Sequence, residues 1–277
     1  MQKIEALRAI AYNLRDLILD STVASAYGSA MRFDELIYPN TRQLQGKYAY
    51  IYDGGGAGQS RVVGSIDPST RSALFTQGFT VAPSINSKVI LTNVWDKAEY
   101  DNAIDRMIGR ARASFLQDKV ATLALVGTQY EYSVPSGFEW ISTLRLVPSL
   151  SSGGSASDYD SEDIIRSMFE IDSRYWRVEM NPQGSYIIAI DSRKIDMDNY
   201  GGYWVRIIGQ AKPDTLGTDN ATVSKDLEEF IITGASMLLS SQRMGETQEW
   251  ARKFYMFRDN LNPLEQYIFS HGRGKKV

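Results

Sequence analysis

The chain has 277 residues, of which 43% are hydrophobic and 11% aromatic, enough apolar material for a folded core and too much for general disorder. Thirty Lys and Arg face thirty-three Asp and Glu, a formal net charge of −3 that is too balanced for a general polyanion binder. With no Cys and one His, His271, the chain cannot use thiolate nucleophiles, disulfide frameworks, Cys-based metal centres, or Ser-His and Cys-His catalysis built on an internal His. Carboxylate chemistry, a bound cofactor, or a purely structural or binding role remain.

The first segment, Met1 to about Asp20, spaces Ile4, Leu7, Ile10, Ala11, Leu14, Leu17 and Ile18 by threes and fours, which predicts one amphipathic helix. Its interspersed Glu5, Arg8, Arg15 and Asp16 break any apolar run of the roughly 18 residues that a membrane span needs, so a soluble chain without signal peptide is expected. Short β-prone runs follow, Lys47 to Tyr52, Arg61 to Ile66, Ser72 to Thr76 and Lys88 to Asn93, separated by turn residues such as Asp53-Gly54-Gly55-Gly56 and Asp67-Pro68. This spacing predicts a small antiparallel β module.

A second helix is signposted after Trp95. Asp96 stands as N-cap with Glu99 three residues on, and Ile104, Ile108, Ala111 and Phe115 mark its apolar face. Its outer face carries Arg106, Arg110, Arg112 and Lys119. From about Ala121 to Pro213 β-prone runs return, Tyr130 to Val134, Ile141 to Val147, Ser167 to Ile171, Tyr175 to Met180, Ser185 to Ile190 and Tyr203 to Ala211, and predict a small sandwich or barrel. Within it, Ser149 to Asp163 is polar, Gly/Ser-rich and acidic, as an exposed loop would be. The chain ends in helical pattern, with Leu227, Ile231, Ala235 and Leu238 on one face, a break at Gly245, and a stripe of Trp250, Phe254, Phe257 and Leu261 before a basic tail.

The order of these signals resembles the head-to-tail connector (adaptor, or neck) proteins of tailed bacteriophages. A pattern G-x-x-x-x-I-x-x-G-x-G-x-G-Q-x-R is carried by Gly46, Ile51, Gly54, Gly56, Gly58, Gln59 and Arg61. A helix with x-x-A-I-x-R-x-I follows as Ala103, Ile104, Arg106 and Ile108, then a Y-x-V-P strand at Tyr132 to Pro135, then Gly209 to Pro213 leading into an acidic helix. The resemblance implies a virion protein, assembled in the host cytoplasm, that forms a ring of about a dozen copies; a repeated head-to-tail interface must close or polymerise. It further implies partners in itself, the portal protein and downstream neck or tail proteins, with double-stranded DNA passing through the lumen. No membrane partner is expected.

Individual motifs carry little chemistry. The glycine run Asp53 to Arg61 lacks the Gly-Lys-Ser/Thr ending of a phosphate loop and lies between strands, which favours a turn. Asp196, Asp198 and Gly201 mimic part of a calcium loop, but Tyr200 and Ile207 occupy positions that need oxygen ligands. Asp158, Asp160, Glu162 and Asp163 lack the apolar setting that would separate their pKa values for glycosidase chemistry. Neither catalytic residues nor a cofactor or metal are expected. Arg106, Arg110, Arg273, Lys275 and Lys276 are candidate partner or DNA contacts, and Trp250, Phe254 and Phe257 are candidates for core or interface packing.

The resulting expectation is an α+β chain: a helical bundle of N-terminal, central and C-terminal helices with two antiparallel β insertions. The boundaries are 1–20 for the first helix, 21–95 for the first β module, 96–119 for the central helix, 120–215 for a sandwich- or barrel-like second module, and 216–277 for the last helices and tail. Function is expected to be structural, as a phage neck subunit. The alternatives are another tail or baseplate component, or a carbohydrate-binding module suggested by the aromatic strands at Tyr175-Trp176 and Tyr203-Trp204.

Overall fold

In this computed structural model residues 1–35, 43–148 and 169–271 are described, the side chains of residues 114 and 269–271 excepted. They fall into two units, Met1–Phe115 with Pro213–Val277, and Leu116–Lys212.

The first unit begins with α1 (Lys3–Asn13), whose Glu5 carboxylate accepts from the Gln2 N–H at 2.7 Å and so closes the first turn. The apolar stripe read as helical to Asp20 is cut at Arg15, which takes a left-handed φ of 55°. Beyond it the chain is extended as β1 (Leu17–Thr22), because Leu19 to Thr22 find backbone partners in Val89 to Leu91 and Lys88. The strands β2 (Ser25–Tyr27), β3 (Ala30–Arg32), β4 (Tyr48–Asp53), β5 (Ser60–Asp67), β6 (Ser72–Phe75) and β7 (Lys88–Thr92) complete a seven-stranded antiparallel sheet in the order β1-β7-β4-β5-β6-β3-β2.

The two edge strands of this sheet are consecutive in sequence and only Val23 and Ala24 lie between them. Val23 donates to Ser87 O at 2.8 Å and Ala24 to Arg32 O at 2.9 Å, so the connector bridges one edge to the other and the sheet curls upon itself. The enclosed core contains Met31, Phe33, Ala49, Ile51, Val63, Phe75, Val89 and Leu91. Alternation sends Tyr50 and Ile90 to the opposite face, where they join the helical core. Hence β4 and β7 are buried on both faces, and within Lys88–Thr92 the residues Val89, Ile90 and Leu91 form a continuous apolar run.

Helix α2 (Lys97–Ser114) starts at the expected cap. Asp96 accepts from the Glu99 N–H at 2.9 Å and Glu99 returns the bond at 3.0 Å. Helix α3 (Glu228–Gln242) packs on α1, α2 and α4 (Gln248–His271). Gly234 marks its closest approach to α2, since a Cβ there would stand 2.1 Å from the Met107 methyl.

The second unit is two facing antiparallel sheets over one core. Strands β8 (Gln117–Ala124), β10 (Trp140–Val147), β11 (Phe169–Ile171) and β14 (Trp204–Ala211) form the order β11-β10-β14-β8, and β9 (Glu131–Ser133), β12 (Trp176–Met180) and β13 (Tyr186–Ile190) form β12-β13-β9. Tyr132, Leu144, Leu146, Ile188, Val205 and Ile207 meet between them.

The expected helical bundle with two β insertions is therefore corrected. The described residues are organised by fourteen strands in three antiparallel sheets, with four α-helices alongside, and only the mixed α+β character stands. Two stretches read as helix are strand: residues 17–20 belong to Leu17–Thr22, captured by β7, and α2 stops at Ser114, with Phe115 extended and residues 117–119 opening Gln117–Ala124, which pairs along β14.

Where α1 ends, Asp16 is almost wholly buried and its carboxylate accepts from the Val94 N–H at 2.6 Å, the Trp95 N–H at 3.4 Å and the Tyr100 hydroxyl at 2.6 Å. Burial raises its pKa, against the pull of these hydrogen bonds. Asp16→Ala is expected to cost roughly 2–4 kcal/mol, because three buried donors lose their acceptor, read as a lower urea midpoint at unchanged m-value. A raised folded-state pKa makes this group's contribution complete below the unfolded value and lost as pH rises through the folded one. The stability of the wild type relative to Asp16→Asn should thus grow as pH is lowered from neutrality; a shrinking difference would refute the burial account.

Candidate functional site

The glycine run between β4 and β5 is the most sharply built surface feature. Gly54, Gly56 and Gly58 take φ of 81°, 78° and 88°, which L side chains rarely adopt, and a Cβ on Gly56 would meet Val81 O at 3.0 Å. Four of its amides are already spent within the chain. Gly54 donates to Asp53 Oδ1 at 2.8 Å, Gly55 to Ser84 Oγ at 3.2 Å, Ala57 to Gly54 O at 3.2 Å and Gly58 to Ile51 O at 2.8 Å. A phosphate cradle needs such donors free, so this is a turn.

Gln59 fastens the turn to the neighbouring loop that precedes β7. Its Nε2 donates to Gly56 O at 3.0 Å and Val81 O at 2.8 Å, and its Oε1 accepts from the Thr80 N–H at 2.7 Å and from Arg61 at 3.1 Å. Arg61 also donates to Gly78 O at 2.9 Å and lies over the Phe79 ring, 5.4 Å from its centroid. Buried Ser87 donates to Gly55 O at 2.8 Å and accepts from the Ser84 N–H. On this pinned backbone Val81 and Ile85 stand 60% and 65% exposed. The residues of the connector-like pattern thus build a fixed loop that holds two apolar side chains in solvent.

A second polar cluster lies among α1, α2 and β4. Lys3, buried, is 3.0 Å from Asp105 and 3.6 Å from Asp101, and donates to Leu216 O at 3.1 Å. Lys97 pairs with Asp101 and, at 2.9 Å, with Asp219, and lies 4.8 Å over the Tyr50 ring. Burial presses the Lys97 pKa down, but these pairs outweigh it and the net shift is upward. The Tyr50 hydroxyl donates to Asp219, and burial together with that carboxylate pushes its pKa far up. Every member has an oppositely charged or hydrogen-bonded partner, with only Asp105 half exposed, so the cluster clamps helices to sheet.

The candidate cations are not brought together. Arg106 is exposed, Arg110 pairs with Glu265 of α4 at 2.7 Å, Arg112 donates to Pro213 O, and Lys119, on β8 rather than α2, donates to Ser136 O at 2.8 Å. Arg273, Lys275 and Lys276 lie outside the described residues, as do Asp158, Asp160, Glu162 and Asp163. Trp250 packs edge-on against buried Trp95 at 4.9 Å, Phe257 is buried in the core, and half-buried Phe254 meets Tyr255 edge-on at 5.3 Å. At the calcium-like stretch, Asp196 accepts from the Asp198 N–H and Asn199 Nδ2 and caps a 3-10 turn at Met197–Tyr200. Among the described residues no group of acidic or His side chains could hold a metal, and no helix is long and apolar enough to cross a membrane.

Sequence reasoning missed one signal. Ile-Asp-Ser-Arg occurs twice, at Ile171–Arg174 and Ile190–Arg193, each time at the end of a strand. A search for internal repeats of a few residues would have found it.

No family model matches the chain, and no curated protein matches it. A solved structure described as the neck of an empty GTA particle computed with C6 symmetry is similar at 13% identity and a TM-score of 0.23. The match covers 51% of this chain and 63% of that one, less than two thirds of its length.

Gln59→Ala is expected to free the loop at 77–87 without unfolding the chain, at a cost of roughly 1–2 kcal/mol for the lost hydrogen bonds. Faster hydrogen exchange of the Thr80 amide, with core amides unchanged, is the measurement that checks it.

Proposed function

We propose that the chain is a structural subunit of a tailed-phage neck, a head-to-tail adaptor that works by geometry and performs no catalysis. The observation that carries this reading is the pinned loop. Gly54, Gly56, Gly58, Gln59 and Arg61, the residues of the connector-like pattern, are spent on holding Val81 and Ile85 outward, a use that suits a repeated contact and not a reaction. Isolated exposed apolar residues are ordinary on mobile loops; here the backbone beneath them has been fixed in advance, which lowers the entropy lost on docking.

In this reading the partners are further copies of the chain in a ring, a portal protein above, and neck or tail proteins below, in the virion. A net charge of −3 suits a conduit, since a strongly basic lumen would hold the phosphates that must slide past. Head-to-tail contacts between two different, mutually complementary patches, repeated about one axis, supply the closure.

Negative-stain images of the purified protein, alone and mixed with a portal protein, test the proposal. Closed rings in at least the mixture are expected; a strict monomer under both conditions overturns it. The double variant Val81→Ser with Ile85→Ser should unfold within about 0.5 kcal/mol of the wild type, since both side chains are exposed, and should lose ring or portal association. Association that survives the double change places the contact elsewhere.

A further inference from the structure

The two Ile-Asp-Ser-Arg copies fold alike and meet. Ile171 and Ile190 are buried as the last residues of β11 and β13. Each following Asp turns the chain by accepting, at 2.9 Å, from the backbone N–H two residues on, Asp172 from Arg174 and Asp191 from Arg193. The turns are joined where the Asp191 N–H donates to Tyr175 O at 2.8 Å. They thereby bring Arg174 and Arg193 to the rim of one open cleft of about 560 Å³, lined also by Tyr130, Tyr175, Trp176 and Arg177. Its volume is in the range of ligand sites, and its chemistry is three guanidinium forks beside three aromatic rings.

The charges are not those of a phosphate-tracking groove. Arg174 is held by Asp172, Nε to Oδ1 at 3.0 Å and Nε to Oδ2 at 3.1 Å, and Arg177 by Glu179. Glu131 and Asp191 line the same cleft, which leaves its field close to neutral. Nucleic-acid affinity grows from net positive charge along a surface, whereas a few fixed forks with aromatic neighbours match discrete carboxylates on a folded or extended peptide. The existing pairs are no obstacle. Arg174 and Arg177 are both 78% exposed, and exposed ion pairs are worth little, so either guanidinium can exchange its own carboxylate for a partner's. Among the described residues no ion pair engages Arg193, whose backbone is nonetheless fixed by its turn.

We propose that the cleft between the twin Ile-Asp-Ser-Arg turns is a docking site for an acidic, aromatic-containing peptide segment of a partner protein, with Arg193 as its first carboxylate contact. This goes beyond the neck reading and does not rest on it.

The test uses the full chain and three probes: the labelled peptide Asp-Tyr-Glu-Asp-Tyr-Glu followed by fluorescence anisotropy, inorganic phosphate as competitor, and a short DNA duplex. Saturable peptide binding is expected, weakened at least about tenfold by Arg193→Glu, the scale of one charge-assisted contact. Lys194→Glu makes the same change in net charge one residue away and should leave binding within about twofold. Equal weakening by both variants, displacement by phosphate alone at peptide-like concentrations, preference for the duplex, or no peptide binding would each overturn the proposal. The neck reading would survive any of these, since it is judged by ring and portal association.

Discussion

The buried carboxylate of Asp16 ties together four segments that the chain could not otherwise hold in register. Arg15 in a left-handed conformation ends α1 and turns the chain so that Asp16 faces inward; its own N–H returns to Ala11 O at 2.8 Å, and its carbonyl accepts from the Asn93 N–H at 2.9 Å. Its carboxylate takes the amides of Val94 and Trp95, just before the α2 cap, and the Tyr100 hydroxyl one turn into that helix. The end of α1, the start of β1, the end of β7 and the start of α2 therefore share one residue. A carboxylate in such a place is tolerated only because its oxygens are filled with donors.

From that point the first unit is built outward in two directions. One face of β4 and β7 closes the curled sheet through Ala49, Ile51, Val89 and Leu91, and the other supplies Tyr50 and Ile90 to the core beneath the helices. The same two strands therefore serve two cores. This explains why helices and sheet are not separable modules, and why a description of β insertions in a helical frame fails. The clamp of Lys3, Lys97, Asp101, Asp105 and Asp219 works at the same seam, fixing α1 and α2 where apolar packing alone would let them slide.

Local chemistry was legible wherever a signal was short and mechanistic. The capping box at Asp96 and Glu99, the turn at Gly54 to Gly58, and strands such as Trp140–Val147 and Trp204–Ala211 follow directly from residue type and spacing. The failures come from competition at longer range. Leu14, Leu17 and Ile18 satisfy a helical period, but one left-handed residue and the free edge of β7 make extended pairing the better use of Leu17–Thr22. Residues 117–119, read as the end of the central helix, fall to the same competition, as their partners in β14 lie ninety or more residues away in sequence, at 209–211. The importance of Gln59 was visible as part of a pattern, but the bonds it makes to Thr80 and Val81 belong to a loop that no local rule connects to it.

The near balance of acids and bases acquires a structural meaning from where the charges sit. Much of the cationic inventory is committed to the chain's own carboxylates and carbonyls: Lys3 and Lys97 at the seam, Arg110 on Glu265, Arg112 on Pro213, Arg174 on Asp172 and Arg177 on Glu179. Asp172, held by Arg174, is pushed down to about 2 and stays ionised at any ordinary pH. A surface assembled from such pairs has little long-range pull on a polyanion, because each guanidinium field is cancelled within a few ångströms and screened beyond them. It can still recognise a partner at short range, where exchanging one carboxylate for another costs little and geometry decides. Contacts of that kind select by shape and register more than by net charge.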